Sequence, residues 1–270
     1  MSLPGYWCVS EKGDLLMAGI DVRLRRIFKD GKAVVCPLDF GGFMGPVQGI
    51  DDPPRVVAEV VAGGADAILV NPGMARSEWA GYAGRAGLIV RITGGSTKFS
   101  PNPAFHTLVC SVEEACALGA DAVCVMVLVG SEQEQDMFEI MGGVISDAHS
   151  LGIPVLAEVI PADPAHNYDP EWIAVCARVG YELGADVIKT YFTEDGFAGI
   201  VRACRVPIII AGGPKVADPN TVVRQAMQCG AAGIAFGRNV FQSADPRAKV
   251  RELHAIVHAT LGPSGEVRRA

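Results

Sequence analysis

Residues 184–192 read GADVIKTYF, a turn-forming glycine, a small residue and an acid followed by a short apolar run that contains one lysine. Related stretches begin at Gly64, Gly119 and Gly230, where Gly-Ala-Asp or Gly-Ala-Ala again leads into an apolar run. Glycine readily ends a helix in the left-handed conformation, and β-branched residues favour strands. The stretch therefore predicts a helix-to-strand junction that recurs along the chain.

Short apolar segments alternate with amphipathic stretches, which predicts a parallel sheet with crossover helices. We predict strands at 33–38, 67–70, 88–92, 122–127, 154–160, 187–192, 207–211 and 233–237, with helices at 53–62, 111–118, 131–151, 170–183 and 220–228. The glycine repeat precedes the second, fourth, sixth and eighth strands, an alternation expected of a closed eight-fold barrel. An open doubly wound sheet is the alternative, but no Gly-x-Gly-x-x-Gly turn follows the first strand. We predict the α/β class and a single (β/α)8 TIM barrel.

The length of 270 residues is near that of one such barrel, although it also allows two domains. No linker-like stretch interrupts the series of strands. We therefore predict an N-terminal arm at residues 1–20, which looks irregular, a barrel domain at 21–262 and a C-terminal tail at 263–270.

Composition excludes several classes of protein. A net charge of -7 gives no basic stripe for nucleic acid, and the apolar runs are too short to cross a membrane. Without a leader-like N-terminus, a cytoplasmic location is expected. The eight cysteines lie partly inside apolar runs and are interpreted as buried free thiols. We predict neither a metal nor a redox cofactor, since no histidine–cysteine cluster has ligand spacing.

Lys189 is the first candidate catalytic residue, because lysine is almost never buried unless it is paired or functional. A desolvated, neutral amine attacks carbonyl carbons to form an iminium ion, which then acts as an electron sink. The alternatives are a lysine that extends to solvent and a lysine in a structural ion pair.

Three further ionisable residues follow or lie within predicted strands, and barrel active sites lie at the carboxyl ends of strands. Asp39 ends the first strand and either moves protons or merely terminates the strand in a turn. Arg91 in the third strand either binds a substrate oxygen or forms a buried pair with Asp39 or Glu158. Glu158 in the fifth strand is either a proton-transfer group or the counter-ion of the lysine.

Two glycine-containing segments indicate one phosphate site. Gly212 and Gly213 follow the seventh strand, and Gly237 and Arg238 follow the eighth strand ahead of a short helical stretch. Glycines let backbone N–H groups approach an anion, and loops after these two strands often bind phosphate in barrels. Two tight turns without a ligand are the alternative.

The segments GADVIKTY at 184–191, PIIIAGG at 207–213 and FGRNVFQ at 236–242 resemble a family of class I aldolases. That family includes archaeal-type fructose-bisphosphate aldolase, aminodideoxyheptulosonate synthase and the thiolase that degrades phosphorylated autoinducer-2. The resemblance covers about residues 23–258. It implies a (β/α)8 barrel, a Schiff-base lysine at Lys189, a phosphate site at the Gly212 and Gly237 loops, and a ring-like homo-oligomer, commonly a decamer.

Two positions depart from the pattern of that family. Phe40 stands where the family has a histidine, and Ile160 stands where its aldolases carry a tyrosine. We therefore predict a Schiff-base aldolase, a lyase that acts on a small phosphorylated carbonyl substrate, with Glu158 as the substitute acid. The alternatives are a thiolase-type acyl transferase and a non-catalytic phosphosugar-binding barrel.

Overall fold

The computed structural model describes residues 15–101, 104–214, 218–261 and 267–268. Eight parallel strands, each bonded to the strands before and after it in the chain, form a closed barrel. They are Ala33–Pro37, Ala67–Val70, Gly87–Arg91, Ala122–Val129, Val155–Pro161, Val187–Thr190, Ile208–Ala211 and Gly233–Ala235. The predicted single (β/α)8 barrel is confirmed, and each strand lies within two residues of its predicted bounds.

Helices lie between the strands along the chain and surround the barrel. Their bounds are Leu15–Ile27, Gly41–Met44, Pro53–Gly63, Pro72–Ser77, Trp79–Tyr82, Val112–Ala117, Glu134–Ser150, Pro170–Glu182, Phe197–Ala203, Pro219–Gln228, Arg238–Phe241 and Pro246–Val257. Four of these helices begin at an Asp-Pro step, at residues 52–53, 169–170, 218–219 and 245–246. The aspartate caps free backbone N–H groups, and proline suits the first helical position.

The repeated glycine ends a helix and leads into a strand, as predicted. Gly64, Gly119, Gly184 and Gly230 all have φ between 83° and 99°, a conformation that favours glycine. Where the repeat supplies an aspartate, its side chain accepts a backbone N–H from one of the first two residues of the preceding strand around the barrel. These bonds join Asp66 to Val34, Asp121 to Leu88 and Asp186 to Val155.

The barrel interior is filled by small and medium apolar side chains, including Val35, Leu69 and Ile89. Its amino end is covered by the helix Leu15–Ile27, whose Ile20 and Leu24 belong to the same buried cluster. The arm predicted at residues 1–20 therefore differs from the structure at residues 15–20, which begin this helix. Residues 1–14 and most of the predicted tail lie outside the described residues.

In the part of the chain that the structure describes, no helix has the length and hydropathy that a membrane span needs. The seven described cysteines are free, and five of them are buried, as the interpretation of thiols within apolar runs requires. Burial raises the pKa of the Cys36 thiol to about 12.

Candidate active site

A cavity of about 710 Å³ opens at the carboxyl ends of the strands. All eight residues predicted for the site line this cavity: Asp39, Arg91, Glu158, Lys189, Gly212, Gly213, Gly237 and Arg238. Residues from six different strand ends meet there because all strands run parallel in a closed barrel. The cavity is of the size that small-molecule sites usually have.

The two-residue period of the strands directs the charged side chains into the barrel. Arg91, Glu158 and Lys189 each lie two residues after an apolar side chain of the interior cluster, namely Ile89, Leu156 and Val187. Glu158 and Lys189 are paired directly across the fifth and sixth strands. The strands therefore place these charges as one layer on top of an apolar layer.

Four buried charges of alternating sign form a continuous chain of contacts. Asp39 Oδ2 accepts from Arg91 Nε, and Glu158 Oε2 accepts from the same guanidinium. Glu158 Oε1 lies 2.8 Å from Lys189 Nζ, and these two side chains retain only 8% and 6% of their exposure. Arg91 thus makes both of the buried pairs that the sequence left open, and Lys189 does not extend to solvent.

Glu158 is ionised in this arrangement. Burial opposes its ionisation, but Lys189 and Arg91 outweigh burial and lower the pKa of the Glu158 carboxyl to about 2. The backbone of Asp39 is also held in place, since the side-chain Nδ2 of Asn71 donates to the Asp39 carbonyl oxygen at 2.9 Å. Asp39 is therefore an oriented carboxylate at the mouth of the barrel as well as the end of a strand.

The two glycine segments lie side by side. Buried Asn239 connects them, because its Nδ2 donates to the carbonyl oxygens of Gly212 at 3.0 Å and Pro214 at 3.4 Å. Gly213 has φ of 59°, and a Cβ there would meet the Tyr168 hydroxyl at 3.0 Å. The chain therefore needs glycine at this point for the loop to adopt its path.

Phe40 and Ile160, which replace the expected histidine and tyrosine, both line the cavity. The Arg238 guanidinium carbon lies 5.0 Å from the centre of the Phe40 ring, so the aromatic side chain helps to position a cation of the cavity. Neither side chain is able to transfer a proton.

Two cavity residues were missed by the sequence reasoning. His106 lies in the hairpin formed by Thr93–Gly95 and His106–Leu108, and burial followed by the Arg91 charge lowers the pKa of its imidazole to about 4. Burial, with Glu158 and Tyr168 nearby, raises the pKa of Tyr191 to about 12. Neither residue has a sequence signal for the site, since a histidine in a predicted loop is more often an ordinary surface residue; His166, in another such loop, stacks on Trp172 with ring centres 4.1 Å apart.

Comparison with known families identifies this combination of barrel and buried lysine. The model of the DeoC/LacD family aldolases matches residues 33–243. The chain belongs to the DeoC/LacD aldolase family. Membership confirms the resemblance inferred from the sequence and makes the protein an aldolase-type enzyme, with class I carbon–carbon bond chemistry.

Individual members of the family are similar over nearly the whole chain. A 2-amino-3,7-dideoxy-D-threo-hept-6-ulosonate synthase of Halobacterium salinarum is 38% identical over 258 residues, covering 94% of this chain and 97% of the relative. A 2-amino-4,5-dihydroxy-6-oxo-7-(phosphonooxy)heptanoate synthase of Streptomyces griseus is 34% identical, with 92% and 93% covered. A solved structure of a Schiff-base-forming fructose-1,6-bisphosphate aldolase superposes with a TM-score of 0.81 at 31% identity, over 88% of this chain and 100% of that one.

Proposed function

We propose that this member of the DeoC/LacD aldolase family makes or breaks a carbon–carbon bond of a small phosphorylated keto compound through a Schiff base on Lys189. The observation that carries the proposal is the place of Lys189. Its amine is the one lysine nitrogen in the described barrel interior, it borders the cavity, and it lies 2.8 Å from a carboxylate. Such an amine, once deprotonated, is a nucleophile for carbonyl carbon.

Lys189 and Asp39 act in different steps of the proposed reaction. Lys189 adds to the carbonyl carbon, and the carbinolamine loses water to give an iminium ion. Cleavage of the neighbouring carbon–carbon bond then sends its electron pair into the iminium, while Asp39 accepts the proton of the hydroxyl on the departing carbon. The same steps in reverse form the bond.

Glu158 and Tyr191 supply the proton-transfer groups that the side chains of Phe40 and Ile160 lack. Glu158 is the counter-ion of Lys189 and the nearest acceptor for its proton. Tyr191 lies two residues after Lys189 in the chain, and like any tyrosine it keeps its hydroxyl proton at neutral pH; burial raises the pKa of this hydroxyl further, to about 12. We assign to Tyr191 the donation of a proton or hydrogen bond to the substrate oxygen.

The substrate class follows from the wall of the cavity that the seventh and eighth strands form beside the strand of Lys189. Arg238 and the glycines at 212, 213 and 237 combine a fixed positive charge with backbone that a ligand is able to approach closely. The relative of Streptomyces griseus is named for a keto compound with a phosphonooxy group, and the solved aldolase for a bisphosphate. We therefore infer a phosphorylated carbonyl substrate. A ring-shaped homo-oligomer and a cytoplasmic location stay predictions.

Borohydride trapping tests the proposal. The full chain is incubated with dihydroxyacetone phosphate, reduced, and digested for mass spectrometry. We expect a secondary-amine adduct on Lys189, none in Lys189→Met, and an undiminished adduct in Lys98→Ala, which removes an exposed lysine bordering the same cavity. An adduct that persists in Lys189→Met overturns the assignment of the Schiff base to Lys189. Adduct formation with none of a panel of phosphorylated ketones overturns the Schiff-base proposal and favours a non-catalytic barrel.

Two product assays separate the lyase from the thiolase-type alternative. Release of a triose phosphate or other aldehyde from a ketose supports the lyase. Formation of acetyl-coenzyme A from a phosphorylated dione supports the transferase, which the aromatic side chain of Phe40 does not favour.

A further inference from the structure

Three aspartates of the glycine repeat mark the amino end of the barrel, opposite the cavity, and each has a basic partner. Asp121 pairs with Arg26 at 2.9 Å and Asp186 with His149 at 2.9 Å. Asp66 pairs with His258 at 2.8 Å. A single basic side chain is thus sufficient for the structural role of this aspartate.

Asp66 differs from the other two because a second imidazole faces it. His254 precedes His258 by four residues on and just after the C-terminal helix Pro246–Val257, so both rings lie on one helix face. Their ring centres are 4.2 Å apart, and His254 Nε2 lies 4.0 Å from Asp66 Oδ1. That separation is too long for a hydrogen bond. His254 therefore does not act as the basic partner of Asp66, a role that His258 already fills.

We propose that Asp66, His254 and His258 bind a divalent transition-metal ion, foremost Zn²⁺, at the amino end of the barrel. The ligand atoms, one carboxylate oxygen and two imidazole nitrogens, all lie within 4.8 Å of one another. Two histidines four residues apart on a helix, with one carboxylate, are a donor set suited to zinc. Water fills the remaining coordination position.

The geometry needs only small changes to accept the ion. Zinc–nitrogen and zinc–oxygen bonds of about 2.1 Å in a tetrahedron place ligand atoms about 3.4 Å apart. His258 Nε2 lies 2.8 Å from Asp66 Oδ2, and His254 Nε2 lies 4.0 Å from Asp66 Oδ1, so the two imidazoles face the two oxygens of one carboxylate at separations on either side of this value. Rotation of the side chains is able to supply the remaining change.

The support around the carboxylate fits a metal ligand. Asp66 Oδ2 accepts the Val34 N–H at 2.7 Å, which fixes the carboxylate plane and turns Oδ1 toward His254. The side chain of His254 is 39% exposed, whereas that of Asp66 is 5% exposed, so the ion enters from solvent.

Binding of Zn²⁺ alone tests the site in the full chain after treatment with a chelator. We expect calorimetry to find about one tight equivalent, and His254→Ala to weaken it about a hundredfold, since loss of groups that merely support a ligand costs 10–100-fold. His254→Ala keeps the bond between His258 and Asp66 and is therefore the variant of choice. The matched control is His149→Ala, which removes the histidine of the comparable pair with Asp186.

Absorption spectra of the Co²⁺-bound protein and thermal unfolding of the variants test which residues bind the metal ion. Co²⁺ at the proposed site gives visible d–d bands without the strong thiolate charge transfer that binding to cysteines produces. Zn²⁺ raises the Tm of the wild type and of His149→Ala but not that of His254→Ala, because ligand binding to the folded state stabilises it. Equal Zn²⁺ affinity in the wild type and His254→Ala, or thiolate bands with Co²⁺, overturns the proposal.

Discussion

Glu158 and Lys189 face each other across two neighbouring strands, and their side chains meet at 2.8 Å inside the barrel. The contact follows from register alone, since paired residues of adjacent parallel strands direct their side chains to the same side of the sheet. It places a carboxylate beside the amine that is proposed to react.

Replacement of that carboxylate is expected to slow the formation of the Schiff base. Glu158→Gln keeps the size and one oxygen of the side chain but removes the acceptor for the lysine proton. We expect turnover to fall by about a hundredfold, the lower range for loss of a general acid–base group. Rates of borohydride trapping measure the step. Glu182→Gln, at an exposed glutamate paired with Arg178, is the control, and an unchanged trapping rate in Glu158→Gln removes Glu158 from the mechanism.

Arg91 is expected to be important for stability, because it is the partner of two buried carboxylates. Arg91→Ala leaves both charges without this partner, and breaking such a buried pair costs about 3–5 kcal/mol of unfolding free energy. Urea denaturation measures the loss. Arg178→Ala breaks an ion pair whose side chains are each 55% exposed, and it should cost less than about 1 kcal/mol. Similar losses in both variants contradict the prediction.

Arg238 is expected to act on binding rather than on the chemical step. Hydrogen bonds to a charged group contribute about 1.5–3 kcal/mol, so Arg238→Ala should raise the dihydroxyacetone phosphate concentration for half-maximal trapping about tenfold or more. The maximal trapping rate should change little. Arg247→Ala, at an exposed residue of the C-terminal helix, is the control. Inhibition by inorganic phosphate that is equal in Arg238→Ala and the wild type contradicts a phosphate site there.

Tyr191 is expected to take part in proton transfer, whereas its neighbour Tyr168 is not. The two rings lie 5.7 Å apart, but Tyr168 is largely exposed. Tyr191→Phe should lower turnover by about a hundredfold, and Tyr168→Phe should leave it nearly unchanged. Measurement of kcat and KM for each variant decides, and equal effects would assign both hydroxyls to binding.

His106 is expected to make the stability of the fold depend on pH. Its pKa falls from 6.5 to about 4 on folding, so the unfolded chain binds more protons between these values. Unfolding free energy should therefore decrease as pH falls from about 6.5 to 4, by on the order of 2–3 kcal/mol from this residue. Urea titrations of the wild type and His106→Gln measure the difference, and parallel pH profiles of the two proteins contradict a buried neutral imidazole.

The sequence predicts the barrel well because the repeated unit is local. Each apolar run is bounded by turn residues, and the glycine of each Gly-Ala-Asp junction has to end its helix. The helix Leu15–Ile27 was missed because Pro4, Gly5 and Gly13 made the whole N-terminal segment look irregular. Its packing across the amino end of the barrel is a tertiary contact that no local pattern contains.

The candidate site was predictable where its residues lie in a strand or directly after one. Side chains alternate between the two faces of a strand, and barrel sites lie at the carboxyl ends of strands; these two rules place Asp39, Arg91, Glu158 and Lys189 together. The sequence does not say which acid pairs with which cation. The hairpin that brings His106 into the cavity has no strong strand pattern. Asp66 and His258 are 192 residues apart, so spacing gave no sign of the cluster at the amino end.

The four paired charges in the barrel stay balanced when Lys189 becomes a covalent Schiff base. Two carboxylates and two cations sum to zero, and an ammonium and a protonated Schiff base both carry one positive charge. Forming the intermediate on Lys189 therefore leaves the electrostatic sum of the barrel interior unchanged. Arg91 and Glu158 therefore face the same total charge with the free ammonium and with the protonated Schiff base, and the apolar layer beneath them lies under a balanced set of charges in both states.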